Sequence, residues 1–268
     1  WVLHDDCAFA KDALENLLTA VSERPNVAMA GPKLLGWHDR THLLEVGISL
    51  ATNGARWTGL EQAEYDQGQR DGVHEVLAVS TAGALIRRDV FQQLGGFDPN
   101  LDLFRDDVDF GWRLYSAGFA AIAVSSAVAF HAEASANERR SVDVAEAFLH
   151  RPLLLDRRNA AYVLLVNSSW WRLPLLTLQL LAGAIFRSIA FLFAKLPGYA
   201  SDEILAVGTQ FLHPAELVRA RKVRKLQRLV PSGIALRFIP SRWSQLRLAA
   251  ARSAEWVRGQ LFPSEITE

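Results

Sequence analysis

Three aspartates and an arginine stand close together in the middle of the chain. Asp106, Asp107 and Asp109 fall within four residues, and Arg113 follows four residues after the last of them. Carboxylates held this close together attract a cation or a proton, so they suit metal binding or general base catalysis. The apolar spacing predicts a helix over residues 107–114, with acids in its first turn where the helix dipole favours negative charge. An acidic helix cap with a solvated salt bridge explains the same residues equally well.

A second acidic cluster, His4-Asp5-Asp6, follows an apolar run at the start of the sequence. Residues 1–3 predict a buried strand, and the periodicity of residues 12–21 predicts a helix. Polar side chains that follow a strand lie where open α/β sheets bind their ligands. Two carboxylates there supply the oxygen ligands with which Mg²⁺ or Mn²⁺ holds a diphosphate. An aspartate N-cap for the next helix is the alternative, and it accounts for only one of the two acids.

The first half of the chain predicts further elements of an α/β protein. Asn53-Gly54 favours a tight hairpin. The small residues around Gly83 would let a substrate approach the backbone closely, although a tightly packed strand crossing is the alternative. His131 directly follows the last predicted strand, as Asp6 follows the first, which would place both on one rim. The predicted strands are 27–35 with a break at Gly31-Pro32, 76–79, 120–124 and 127–130, and a short helix is predicted over 87–94.

The composition predicts one sizeable hydrophobic core with unevenly distributed charge. The chain has 268 residues, 50% of them hydrophobic, and its formal net charge is zero. That zero is a cancellation, because residues 213–268 hold 11 Lys and Arg against 4 Asp and Glu. The acidic and basic parts should therefore face different surroundings. The single cysteine, Cys7, excludes an internal disulfide, and a start at Trp1 without Met or a signal peptide predicts a fragment of a longer protein.

The last third of the sequence predicts contact with a membrane. Residues 173–193 are almost entirely apolar and long enough to span the hydrocarbon core, and a tryptophan pair precedes them. Arg187 is their one charge, at a cost of about 2.5–3.5 kcal/mol if it is isolated in lipid. A buried helix of a soluble protein is the alternative. A single crossing would separate a cytosolic domain from the basic cluster 219–225, so we expect a re-entrant or in-plane element, or a hairpin completed by residues 204–212.

The basic cluster 219–225 predicts a helix that lies on anionic lipid. Nucleic acid is not an expected partner, because the sequence holds no recognisable binding module for it. A further amphipathic helix is predicted over residues 242–261.

Taken in their order along the chain, the acidic motifs resemble those of the family 2 glycosyltransferases, inverting enzymes with the GT-A fold. The resemblance rests on His4-Asp5-Asp6, on residues 82–98, on residues 106–113 and on His131. It implies an α/β mixed sheet flanked by helices, a nucleoside-diphosphate sugar donor, and a divalent metal, Mn²⁺ or Mg²⁺. Among members of the family, the spacing looks most like that of actinobacterial cell-envelope glycosyltransferases, such as galactan galactofuranosyltransferases.

The resemblance also implies a role for each matching residue. Asp107 matches the catalytic base, and Asp106 stands where the family more often has Glu. Asp6 matches the metal-binding carboxylate, and His131 matches the histidine that completes the metal or diphosphate site. A histidine replaces the first aspartate of the family's metal motif in this chain. The residues expected beside the nucleotide are His4, Asp5 and Gly83.

The implied activity is inverting transfer of a sugar to a lipid-linked or cell-envelope glycan, at the cell membrane with the catalytic part on its cytoplasmic side. Asp107 would take the acceptor proton, and a metal at Asp6 would neutralise the departing diphosphate. A nucleotidyltransferase would need a glycine-rich, lysine-containing phosphate loop, which this sequence lacks. A noncatalytic membrane scaffold would not need both aspartates. The expected divisions are 1–140 for a partial GT-A catalytic domain, 141–172 for a helical connector, 173–212 for a hydrophobic membrane element and 213–268 for a basic amphipathic helical tail.

Overall fold

The computed structural model describes residues 1–61, 64–132, 151–248 and 250. These residues form a mixed sheet with helices packed against it, followed by a helical C-terminal part. The strands are β1 Cys7–Phe9, β2 Val27–Gly36, β3 Leu43–Glu45, β4 Ser49–Leu50, β5 Arg56–Trp57, β6 Val73–Val76, β7 Leu85–Ile86 and β8 Ala120–His131. The α-helices are α1 Ala13–Ser22, α2 Arg88–Gln93, α3 Asp106–Ser116, α4 Pro152–Asn167, α5 Leu173–Phe193, α6 Pro197–Leu212 and α7 Pro214–Gln227.

Strand β8 is at the centre of the sheet. It pairs in parallel with β2 and antiparallel with β1 and β6. The sequence predicted two strands here, but residues 120–131 form one. The register against β2 shifts between Val124 and Val128, so a bulge absorbs the polar residues between the two apolar runs and the strand continues. The mixed sheet agrees with the α/β expectation, and the predicted helices at 12–21 and 87–94 are confirmed as α1 and α2.

Three other strand predictions were wrong. Residues 1–3 form no strand; the Val2 N–H donates to the Ala84 carbonyl at 2.8 Å, and the first strand begins only after the acidic cluster. Strand β2 runs unbroken through Pro32, because the missing N–H falls where the register against β8 shifts. The strand expected at 76–79 lies earlier, as β6, since residues 73–76 are the ones that pair with β8.

Helix α3 carries the central acids and runs through the core. Its predicted span is confirmed, with Phe110, Trp112 and Tyr115 almost fully buried. A Cβ on Gly111 would lie 2.2 Å from the Leu77 carbonyl oxygen, so only glycine allows the helix to pack this closely on that backbone. The position of the acids at the start of α3 is therefore fixed by packing along the rest of the helix.

The hairpin predicted at Asn53-Gly54 is confirmed. Strands β4 and β5 pair antiparallel, with Ser49 opposite Trp57. The side chain of Gln245 accepts hydrogen bonds from the Thr52 backbone N–H at 3.1 Å and from its hydroxyl at 3.0 Å. The 49–57 hairpin is thereby tied to the C-terminal part of the chain.

Helices α5 and α6 form an antiparallel helical hairpin. The Ser188 hydroxyl donates to the Ala200 carbonyl at 2.9 Å, and the rings of Phe191 and Tyr199 lie 5.5 Å apart. By length and composition, the helical stretch Trp170–Phe193 could cross a membrane, and only 17% of its most apolar window is buried. The segment from 173 to 212 thus leaves much of its apolar surface exposed.

Arg187 is the single charge of residues 173–193, as the sequence indicated, but it has a partner outside that range. Its Nε donates to Glu203 Oε2 at 2.8 Å, across the helical hairpin. The fully buried Glu203 also accepts from Arg157 Nε at 2.9 Å. Because pairing compensates a buried charge, the insertion cost of a lone arginine does not apply to this helix.

The sequence predicted that the basic cluster of α7 lies on the surface, but only part of it does. Arg224 is buried, and its Nη2 donates to Asp98 Oδ2 at 2.6 Å and to Asp109 Oδ1 at 2.7 Å. Only Arg219, Lys222 and Lys225 of the cluster are exposed, whereas Arg221 is half-buried. Residues 242–248 are helical as predicted, and so is residue 250. The other residues of that predicted helix, and residues 141–150 of the predicted connector, lie outside the described residues. Residues 151–172 of the connector are described, and Pro152–Asn167 among them form α4.

Candidate active site

A cleft of about 550 Å³ opens where β8 ends and α3 begins. His131 closes β8 on one side of it, and Asp106 and Asp107 start α3 on the other. Arg56 of the 49–57 hairpin lines a third side. The cleft therefore brings together acids, a histidine and an arginine that are far apart in the sequence.

Asp6 and His131 lie in contact, as the sequence suggested, but the strand arrangement that brings them together differs from the expected one. Asp6 precedes strand β1 instead of following a strand. Because β1 runs antiparallel to β8, Cys7 pairs with His131, and the start of one strand lies beside the end of the other. His131 Nε2 lies 3.0 Å from Asp6 Oδ1.

His4 completes a cluster with these two residues. Its Nδ1 lies 4.0 Å from Asp6 Oδ1, and its Nε2 forms a hydrogen bond of 3.0 Å with Thr81 Oγ1. One donor atom from each of His4, Asp6 and His131 lies within 4.8 Å of the others, which is compact enough for one metal ion to contact all three. Burial and the neighbouring His131 lower the pKa of His4, which favours the neutral imidazole that binds metals.

The two acids at the start of α3 differ in environment. Asp107 is buried except for a small face on the cleft, and its Oδ1 accepts the Val108 N–H at 2.7 Å. Its Oδ2 lies 3.7 Å from Arg56 Nη2. Burial and the adjacent Asp107 raise the pKa of Asp106 to about 6, although Arg56 opposes the shift. Asp106 is therefore poised to hold or release a proton just below neutral pH.

A strained bend presents these acids to the cleft. Phe104 and Arg105 both have left-handed backbone conformations, with φ of 66° and 71°. Each such residue costs about 1–2 kcal/mol, so the surroundings must hold the bend in place. Helix α4 does so, because Asn159 Nδ2 donates to the Phe104 carbonyl at 3.2 Å and Arg105 Nη2 donates to Asp156 Oδ1 at 2.8 Å.

Glu45 and Arg56 belong to the site and were missed in the sequence. Arg56 Nη2 donates to Glu45, and Glu45 Oε1 accepts the Ser80 N–H at 3.0 Å. Burial raises the pKa of Glu45, with Arg56 opposing the shift and Asp107 adding to it. The only sequence signal was a charged residue two positions after Gly54 of the Asn53-Gly54 turn; nothing marked Glu45.

The remaining candidates lie apart from the cleft lining. A Cβ on Gly83 would meet Pro32 Cγ at 2.9 Å, so its α-carbon packs against β2, and Ser80 and Thr81 line the cleft in its place. Asp5 is exposed in the turn before β1. Asp109 is fully buried in the protein interior, where it accepts hydrogen bonds from Arg113, Asn167 and Arg224.

Comparison with known proteins supplies a family for this arrangement. Residues 1–145 match the family described as "Glycosyltransferase like family 2". An N-acetylglucosaminyl-diphospho-decaprenol L-rhamnosyltransferase of Mycobacterium tuberculosis is 28% identical over 65% of this chain and 58% of its own length. The O-antigen biosynthesis protein RfbC of Myxococcus xanthus is 24% identical over 60% of this chain and 13% of its own. The chain therefore spans less than two thirds of the length of these relatives.

Among solved structures, GalNAc-T7 with UDP, GalNAc and Mn²⁺ aligns with a TM-score of 0.41 at 13% identity. That alignment covers 74% of this chain and 36% of the other.

Proposed function

Because the chain belongs to glycosyltransferase family 2, we propose that its cleft transfers a sugar from a nucleoside-diphosphate donor to a lipid-linked or cell-envelope glycan. The observation that carries the proposal is the meeting of Asp107 with the His4–Asp6–His131 cluster at one cleft. His4 and His131 line the same cavity as Asp107. A base for the acceptor hydroxyl and a metal site for the leaving diphosphate on one cavity suit a displacement at an anomeric carbon.

Asp107 is the proposed base. Its carboxylate lies on the cleft at the start of α3, and it takes the proton from an acceptor hydroxyl as that oxygen attacks the anomeric carbon. Arg56, 3.7 Å away, stabilises the carboxylate before the proton arrives. The displacement is direct: the bond from the acceptor oxygen to the anomeric carbon forms as the bond to the nucleoside diphosphate breaks. The sugar is therefore transferred with inverted configuration, and no covalent sugar–enzyme intermediate forms.

The donor diphosphate is proposed to bind beside the His4–Asp6–His131 cluster. A divalent metal held there would neutralise the charge that develops on the leaving diphosphate. Two imidazoles and one carboxylate fit Mn²⁺ better than Mg²⁺, because Mg²⁺ prefers oxygen ligands throughout. The Thr81 hydroxyl orients the His4 ring through its other nitrogen.

Removal of Asp6 is expected to abolish most metal binding. Asp6→Ala deletes the one carboxylate of the cluster, and we expect its Mn²⁺ affinity to fall by about 10- to 100-fold or more. Electron paramagnetic resonance of free Mn²⁺ measures that affinity without any turnover. Asp5→Ala, which removes an exposed acid one residue away, is the matched control and should bind nearly as well as wild type. Equal affinities for wild type and Asp6→Ala would exclude a metal at this cluster.

The activity is expected to fall in acid with an apparent pKa of about 6. Asp106 has its pKa raised to about 6, so it gains a proton below that pH, and the negative charge beside the proposed base Asp107 is reduced. Arg56 lowers this pKa, so Arg56→Gln should move the acidic limb of kcat/KM to higher pH. Arg88→Gln removes the same charge from an exposed position outside the cleft and should leave the limb in place. An unmoved limb in Arg56→Gln would contradict this assignment.

A membrane-bound acceptor is proposed from the helical hairpin. Trp170 and Trp171 are 78% and 66% exposed, which suits the membrane interface. The family relative whose name includes a decaprenol-linked acceptor supports the same class of acceptor here. The catalytic part would lie on the cytoplasmic side, where exposed basic residues of α7 meet anionic lipid. Large apolar side chains exposed on α5 include Leu175, Leu178, Ile185, Phe186, Leu192 and Phe193.

A panel of nucleoside-diphosphate sugars tests the proposal. Membranes that contain the protein are supplied with each donor, beginning with that of L-rhamnose, and with N-acetylglucosaminyl-diphospho-decaprenol. We expect one donor to yield a lipid carrying one more sugar, together with a free nucleoside diphosphate. Release of inorganic pyrophosphate instead would indicate a nucleotidyltransferase. Silence with every donor, in protein that still binds membranes, would favour a scaffold.

A further inference from the structure

A second cavity, of about 360 Å³, lies between helix α5, the tip of the 49–57 hairpin and the helix that begins at residue 242. Its lining within the described chain includes Arg187 and Arg242 and no acidic side chain. The family resemblance and the metal and base assignments leave this cavity without a role.

The cavity carries positive charge. The buried Glu203 accepts hydrogen bonds from both Arg187 and Arg157, which are partly exposed, so this group of three side chains keeps one excess positive charge. Arg242 adds a second charge from an exposed position on the opposite wall. Two guanidinium groups at one cavity suit the oxygens of a phosphate group.

The cavity also adjoins apolar surface. Leu246 lines it and is 61% exposed, and α5, which supplies Arg187, is the helix with the large exposed apolar face. A ligand with a phosphate group and a long hydrocarbon tail would therefore find charge and apolar contact side by side.

The 49–57 hairpin separates this cavity from the catalytic cleft. Thr52 and Asn53 line the arginine cavity, whereas Ala55 and Arg56 line the catalytic cleft. Asn53 and Ala55 are two residues apart, so their α-carbons lie within about 7 Å of each other. Arg56 in turn lies 3.7 Å from Asp107. The arginine cavity and the catalytic cleft thus lie on the two sides of the same hairpin tip.

We propose that the arginine cavity binds the phosphate group through which the acceptor glycan is joined to its lipid. The phosphate contacts Arg187 and Arg242, the lipid lies along α5, and the sugar passes the hairpin tip to reach Asp107. This inference rests on the proposed transfer to a lipid-linked acceptor, and it names the part of the protein that selects such acceptors.

Arg242→Gln is the variant that tests the proposal, because Arg242 is exposed and its loss leaves the buried Glu203 group intact. Vesicles of phosphatidylcholine containing a polyprenyl phosphate should bind wild type at least about tenfold more tightly than phosphatidylglycerol vesicles of equal surface charge. Arg242→Gln should lose that preference. Arg247→Gln, which removes an exposed charge from the same helix outside the cavity, should keep it.

Other outcomes would overturn the proposal. Equal binding to the two kinds of vesicle would mean that only general charge attraction operates. The same conclusion would follow if Arg242→Gln and Arg247→Gln lost the vesicle preference to the same extent. If inorganic pyrophosphate in solution removes the preference at a concentration similar to that of the polyprenyl phosphate, the site takes a free phosphate and the lipid assignment fails.

Kinetics separate this inference from the function on which it rests. Arg242→Gln should raise the KM for the lipid-diphosphate acceptor by about tenfold or more, with little change in kcat or in the KM of the donor. With a soluble acceptor that lacks phosphate, the variant should match wild type. If transfer occurs but the vesicle preference is absent, the arginine cavity alone is wrongly assigned. If the preference is present but no donor reacts, the proposed transfer fails and the phosphate site stands.

Discussion

Asp107→Asn is expected to lower kcat by about 10²- to 10⁴-fold, because an amide cannot take the proton from the acceptor hydroxyl. The side chain keeps its size and lies on the cleft, so the affinity for the nucleoside-diphosphate donor should remain close to that of wild type. Steady-state release of nucleoside diphosphate measures kcat, and calorimetric titration with the nucleoside diphosphate measures binding. The combination of lost turnover and retained binding identifies a base.

Asp102→Asn is the matched control for that experiment. Asp102 lines the same cleft but is exposed, and it lies outside α3. Its amide should reduce kcat little, since the cleft keeps the base and the metal cluster. A similar kcat for Asp107→Asn and wild type would show that the proton goes elsewhere, and Asp106 would then be the next candidate.

Arg224→Met is expected to lower the free energy of unfolding by about 3–5 kcal/mol, because it leaves the Asp98 carboxylate without a cation and removes one of the two cations that pair with Asp109. Arg224 is 6% exposed and binds both Asp98 and Asp109. Asp109 keeps Arg113 as a partner, but Asp98 loses its one ion pair among the described residues and retains hydrogen bonds from Tyr162 and Asn100. Chemical denaturation of the solubilised protein, followed by tryptophan fluorescence, measures the loss.

A neighbour and a double variant control this prediction. Lys225→Met removes an exposed charge at the next position and should change stability by no more than about 0.5 kcal/mol. Arg224→Met combined with Asp98→Asn removes the stranded charge as well, so the pair should cost less than the sum of the two single changes. Equal stability of Arg224→Met and Lys225→Met would contradict the interior role of Arg224.

The residues of the candidate site could be predicted where one local motif contains them. The acids of α3 stand in a helical pattern with their own start signal, and the Asn53-Gly54 turn marks its hairpin through local backbone chemistry alone. Asp6 and His131 were paired correctly, but from the wrong geometry. The sequence suggested two strand ends at one edge, whereas antiparallel pairing joins the start of β1 to the end of β8.

The partners that could not be predicted are those whose pairing depends on long-range packing. Glu45 of β3 and Arg56 of the 49–57 hairpin form their contact through packing between two separate elements. Arg224 resembled a surface residue within a basic run, and its partner Asp109 is 115 positions earlier in the chain. Arg187 similarly gave no sign of its pairing with Glu203 on the next helix. Charge and periodicity reveal which face a side chain can occupy, but not which distant carboxylate will neutralise it.

The anomeric configuration of the product tests the central claim most directly. In the proposed mechanism, Asp107 activates an acceptor hydroxyl for one direct displacement in the cleft. Nuclear magnetic resonance of the sugar transferred to the lipid acceptor, compared with the donor, reads the outcome. Inverted configuration, in a reaction that stops with EDTA and resumes with Mn²⁺, is the predicted result. Retained configuration would require a covalent intermediate or a different mechanism, and would contradict the role assigned to Asp107.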